Sequence, residues 1–164
     1  MIRAICPGSF DPVTFGHVDI VKRAADMFDE VFVAVMINPA KKTIFSLDER
    51  LNLLKRVFSN IKNVKVTGFD GLLADYAKSV DATVIVKGLR AVSDFEYEFQ
   101  MALTNEKLNP SLETIFLTTR AENMFLSSSV VKQIAKFGGD ISQFVPDCIL
   151  GDIRGRLLKG KKCN

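Results

Sequence analysis

The chain has 164 residues, 48% hydrophobic and 25% charged, enough for one well-buried core and too few for two comfortable domains, so residues 1–158 read as one domain and 159–164 as a basic tail. A formal net charge of +3 falls well short of the dense basic stripe expected of a duplex-binding protein, and an anionic small molecule suits it at least as well. Cys6, Cys148 and Cys163 are odd in number and far apart, which points to reduced thiols and the cytoplasm, while the longest apolar run, VFVAVMI, is only seven residues, so neither export nor membrane insertion is expected.

Ile2 to Cys6 reads as a strand and runs into PGSFDPVTFGH, a stretch with two glycines, two prolines and the only histidine, His17. From His17 to Phe28, Val18, Val21, Ala24, Ala25 and Phe28 share one helical face. Residues 31–37 are an unbroken apolar run, the pattern of a strand covered on both faces. Ser46 with Glu49 forms a capping-box signal ahead of a helix carrying Leu51, Leu53, Leu54 and Val57. NVKVTGF, LLADYAKSV and TVIVK follow as strand, helix and strand. Ser93 with Glu96 repeats the capping-box signal and predicts a helix to about Leu108, ended by Pro110. TIFLT is a fifth strand, SSSVVKQIAKF a helix stopped by Gly138 and Gly139, and a last helix begins near Pro146.

Five strands alternating with five helices predict an α/β fold, a Rossmann-like doubly wound five-stranded parallel sheet with helices on both faces. Ligands of such sheets bind at the carboxyl ends of the strands, near the reversal of strand order. The loops there, 7–16, 38–45, 68–72, 88–92 and 119–127, bring Lys41, Lys42, Lys87 and Arg90 beside several helix N-termini, a setting for phosphates. There is no GxxxxGK[ST] and no GxGxxG after the first strand, so neither a P-loop nor a dinucleotide site is indicated.

PGSFDPVTFGH, with Thr14, Phe15, Gly16 and His17, resembles the N-terminal signature of nucleotidyltransferases that carry a (T/H)xGH motif, and LSSSVVK resembles their second signature. Between them, KGLRAVSDFEYEFQMA is similar to the branch that adenylates 4′-phosphopantetheine. The resemblance runs from residue 2 to about residue 150 and implies ATP and 4′-phosphopantetheine as substrates, dephospho-CoA and pyrophosphate as products, and attack of the acceptor phosphate on the ATP α-phosphate without a general base. It also implies Mg²⁺ held mainly by ATP phosphates, coenzyme A as a feedback inhibitor and a homohexamer built from two trimers, with no nucleic-acid or membrane partner.

Carried over residue by residue, the resemblance gives the catalytic work to His17, as transition-state donor, with Lys41 and Arg90. ATP binding falls to Ser9, Phe10, His17, Gly88, Leu89, Arg90, Glu98, Asn123, Met124, Phe125, Leu126, Ser127, Ser128 and Ser129. Acceptor binding falls to Ser9, Lys41, Leu73 and Lys87. From the residues alone, His17 also reads as a helix cap, Ser9 as a turn residue, Leu73 as a core leucine, Glu98 as an exposed helix charge and the serines as N-caps. Asp11, ahead of Pro12, reads as a turn residue rather than a metal ligand, and Lys42 as a solvated neighbour of Lys41. Lys87 stands where many relatives have arginine, replacing a planar fork by a point charge. A sibling enzyme with another acceptor, or a non-catalytic nucleotide sensor, remain the competing readings.

Overall fold

A computed structural model describes residues 1–37 and 42–158, without the side chain of Ser93; Lys41 and the tail over 159–164 lie outside the described residues. Among the described residues the strands are β1 (Arg3–Gly8), β2 (Glu30–Met36), β3 (Val64–Phe69), β4 (Val84–Leu89) and β5 (Glu113–Thr118). The helices are α1 (Phe15–Met27), α2 (Leu47–Val57), α3 (Leu73–Ser79), α4 (Val92–Leu108), α5 (Ser128–Lys136) and α6 (Asp147–Leu158), with a 3₁₀ turn at Ala121–Asn123. All four strand pairings are parallel and the order is β3-β2-β1-β4-β5, so the order reverses between β1 and β4.

The inner stretches of the central strands, 4–6, 31–35 and 84–86, are apolar because both faces are covered. Ala4 and Cys6 of β1, Val31, Val33 and Val35 of β2, and Val84 and Val86 of β4 face the larger core with α1, α2, α5 and α6. The intervening Ile5, Phe32, Ala34 and Ile85 face a smaller core against Tyr76 and Ala77 of α3. Strand period two therefore divides one hydrophobic run between two cores.

Two strands run further than the sequence indicates. β1 continues to Gly8 and β4 to Leu89, because both stay paired to their neighbours, Gly8 with Val35 and Leu89 with Thr118. α1 starts at Phe15 rather than His17, with Thr14 as N-cap, since the Val18 amide already donates to the Thr14 carbonyl at 3.0 Å. Ser46 and Glu49 make the expected capping box on α2. The box expected from Ser93 and Glu96 does not define α4: the N-cap is Ala91 and the helix begins at Val92. α6 buries Ile149 and Ile153, and its Arg156 donates to the Ile44 carbonyl at 2.9 Å, pairs with Glu49 and lies over the Phe45 ring.

Candidate active site

At the reversal of strand order the carboxyl ends of β1 and β4 open into a cleft of about 1040 Å³. The N-termini of α1, α4 and α5 border it through Thr14 and His17, Arg90 and Asp94, and Ser127 to Ser129. Three helix N-termini thus meet at one depression, the electrostatics of an anion site.

His17 occupies the third position of α1. Its Nδ1 accepts the Thr14 amide at 3.0 Å and lies 3.0 Å from the Thr14 hydroxyl, while Phe10 meets the ring edge-on at 5.1 Å. An Nδ1 that accepts a backbone N–H carries no proton, so the neutral ring holds its hydrogen on Nε2. Burial, reinforced by the Arg90 charge, lowers the histidine from 6.5 to about 4, so the neutral donor form prevails at pH 7. Among the described residues Nε2 finds no partner, and His17 lines the cleft, which leaves that N–H for a ligand.

Arg90 and Lys87 are held by partners rather than free. Arg90 binds Asp94 through Nε at 3.1 Å and Nη2 at 3.3 Å, and its Nη1 donates to the Leu126 carbonyl at 3.2 Å. One guanidinium therefore links the start of α4 to the segment before α5. Lys87 on β4 pairs with Glu98 on α4 at 3.1 Å, bringing together an expected acceptor-binding residue and an expected ATP-binding residue. Ser127 caps α5 by accepting the Val130 amide at 3.1 Å, and Ser128 donates to the Pro12 carbonyl at 2.7 Å, tying the two signatures together.

Of the expected site residues, Ser9, Phe10, His17, Leu73, Lys87, Gly88, Arg90, Glu98, Asn123, Leu126, Ser127, Ser128 and Ser129 line this cleft. Leu89, Met124 and Phe125 do not; Phe125 instead packs edge-on against Phe144 beside a shallower depression. Lys42, read as a solvated neighbour, is exposed and also lines the cleft. The glycines have jobs the sequence did not disclose. A Cβ on Gly8 would come within 3.0 Å of the Phe10 ring, and one on Gly88 within 2.8 Å of Ile20 Cγ1. Both glycines serve close packing, the first under an aromatic ring whose residue itself has φ 47°. Cys6 also lines the cleft, but burial pushes its thiol up to about 12, which makes it a poor nucleophile.

Of one wall, sequence reasoning named only Glu98. Asp94, Glu98, Met101, Asn105 and Leu108 line the cleft at alternating spacings of four and three residues, one face of α4. That period was available in the sequence, but the face mixes charged, amide and apolar groups, so a hydrophobic count passes over it.

A family model described as cytidylyltransferase-like matches residues 5–134. A protein of Caldanaerobacter subterraneus named phosphopantetheine adenylyltransferase is 64% identical over 89% of this chain and 91% of its own. One of the same name from Clostridium botulinum is 53% identical over 99% of each. A Vibrio parahaemolyticus crystal structure, described provisionally as a nicotinate-nucleotide adenylyltransferase, superposes with a TM-score of 0.74 at 16% identity, over 93% of this chain and 99% of that one, which is a likeness of fold. With its parallel sheet, its cleft at the strand reversal and both signatures on that cleft, the chain belongs to the cytidylyltransferase-like nucleotidyltransferases and, among them, to the phosphopantetheine adenylyltransferase family.

Proposed function

We propose that the chain transfers the adenylyl group of ATP to 4′-phosphopantetheine, giving dephospho-CoA and pyrophosphate in the synthesis of coenzyme A. The name borne by relatives of high identity supports the substrates. The observation that carries the chemistry is His17, a neutral imidazole with Nδ1 engaged by a backbone amide and Nε2–H turned over to the cleft's occupant.

An oxygen of the acceptor phosphate attacks the α-phosphorus of ATP, a P–O bond forms there, and the bond to the β-phosphate oxygen breaks as pyrophosphate leaves in line. The attacking oxygen is already anionic at neutral pH, so no base is called for, and a histidine whose Nδ1 lone pair is occupied is poorly placed to act as one. The barrier lies in aligning two anions that repel each other and in stabilising the equatorial oxygens. Nε2–H of His17 donates to those oxygens, while Arg90, Lys87, Lys42 and the helix N-termini hold the phosphates. Lys41, by resemblance, joins them on the acceptor phosphate.

Magnesium fits this reading as an ion that arrives with ATP. The described residues include no group of three or more His, Cys, Asp or Glu side chains able to cage a metal, whereas triphosphate oxygens and water satisfy an octahedral ion. Bound there it would neutralise phosphate charge, and the protein's share would be the cations and amides already named.

The reading extends to a homohexamer of two trimers, feedback binding of coenzyme A in the same cleft and a cytoplasmic setting. Val92, Phe99 and Leu103 on α4 are 78%, 45% and 51% exposed, which supports burial of that side by other copies. Cys6 and Cys148 are free thiols, as a reducing compartment favours. No helix among the described residues is long and apolar enough to cross a membrane.

Pyrophosphate release tests the reading, with ATP or CTP offered against 4′-phosphopantetheine and a panel of phosphorylated acceptors. Release with ATP and 4′-phosphopantetheine alone supports it. Release with another pair assigns a sibling activity, and nucleotide binding without release makes the chain a sensor.

A further inference from the structure

We propose that Asp11 is a positioning residue that braces three cleft segments against one another through a single buried carboxylate; the kinetic part of this inference rests on the adenylyl-transfer reading above. An aspartate ahead of a proline is expected to close a local turn with an amide two residues on. The observed bonds go elsewhere. Oδ1 accepts the Phe45 amide at 3.0 Å and the Ile44 amide at 3.2 Å, while Oδ2 accepts the Ile44 amide at 3.0 Å and the Lys132 ammonium at 3.1 Å. Asp11 is only 4% exposed, and its partners lie 33, 34 and 121 residues away. Such a charge is tolerated because amides and an ammonium replace its water.

The geometry joins what the chemistry needs together. Asp11 sits in the loop after β1; Ile44 and Phe45 follow Lys42 and Thr43, which line the cleft; Lys132 lies on α5, one turn beyond the cleft-lining serines. Neighbouring residues of the same loop are strapped independently, Ser9 by Arg50 on its carbonyl at 2.8 Å and Pro12 by Ser128. Among the described residues only Asp11 connects all three segments by hydrogen bonds, and it does so at charged atoms.

Asparagine at this position cannot copy the brace. Whichever oxygen becomes NH₂ faces a donor, either the backbone amides or the ammonium. Asp11→Asn is expected to lower kcat about tenfold or more, since small misplacements of reacting groups cost up to ~100-fold, with each KM within about threefold of the parent. Hydrogen exchange of a peptide spanning residues 42–47 should accelerate while β1 stays protected. Lys132→Gln leaves the carboxylate on its two amides and gives a second, milder variant should Asp11→Asn not fold. The double variant should be no slower than the slower single one, as expected of partners in one unit. A normal kcat below the melting temperature, with only the melting point lowered, overturns the proposal, as do multiplying effects in the double variant. If the parent releases no pyrophosphate, the adenylyl-transfer reading fails on its own, and the exchange arm decides: parental rates over 42–47 in both variants overturn the brace, and faster ones support it.

Discussion

Lowering the pH from 8 to 5 should weaken the fold through His17 alone among histidines, because it is the only one in the chain. In the unfolded chain the ring titrates near 6.5, whereas in the fold burial, helped by Arg90, brings it to about 4. The unfolded state therefore binds the proton more readily. The stabilisation is fully present above pH 6.5 and is lost as the pH falls from there toward 4. Integrated between pH 8 and pH 5, this difference amounts to about 2 kcal/mol, which is roughly 4–8 °C in melting temperature for a chain of this size. Urea unfolding at fixed protein concentration across that range, on the parent and on His17→Gln, isolates the effect as the difference between the two slopes. The two carbon-bound ring protons follow the same titration directly, without overlap from another histidine. A fitted value near 6 or above, or parent and variant losing stability in parallel, would refute the lowering of this titration by burial. The same reasoning assigns any acid limb of turnover near pH 6 to the second ionisation of the acceptor phosphate rather than to His17.

His17→Ala should cut turnover about 100-fold or more with a much smaller change in ATP affinity, as loss of a transition-state donor does; single-turnover rates close to the parent's would remove the residue from that role. Lys87→Arg, which can grip both Glu98 and a phosphate with its fork, should tighten acceptor binding and reduce its salt sensitivity. Calorimetric titration of the acceptor at two ionic strengths measures this, and equal affinities at both dismiss it. Gly88→Ala places a methyl 2.8 Å from Ile20 Cγ1 and should cost about 1–3 kcal/mol by overpacking, read from urea midpoints. A loss under about 0.5 kcal/mol would mean that α1 shifts freely on the sheet.

What was legible in the sequence depends on whether a residue's partner is near it in the chain. The run at 31–37 announces β2 because burial on both faces leaves no polar alternation, and Ser46 announces α2 because Glu49 is three residues away. Ser93 and Glu96 carry the same spacing and fail, since the start of α4 is organised instead by Arg90 reaching Asp94 across the first turn. Most of the cleft's expected residues were found through the two signatures, but the ties among them were not. Lys87 with Glu98, Asp11 with Lys132, and Gly88 beneath Ile20 join elements distant in sequence, and no local pattern encodes such a pairing. Met124 and Phe125 fall just outside the cleft for a related reason: the 3₁₀ turn at Ala121–Asn123 sends them outward to 52% and 61% exposure before Leu126 returns to the interior.

α6 lies wholly beyond residues 5–134, the stretch that the family model matches, yet it is fastened to the back of the site. Arg156 holds the Ile44 carbonyl and covers the Phe45 ring, on the far side of the peptide groups whose amides meet Asp11. The same two residues are thus gripped from both directions, by an aspartate in the loop after β1 and by an arginine on α6. A change at Arg156 on the last described helix is thereby passed to residues 44 and 45 through one carbonyl, and so to the loop that Asp11 holds, without touching a signature residue.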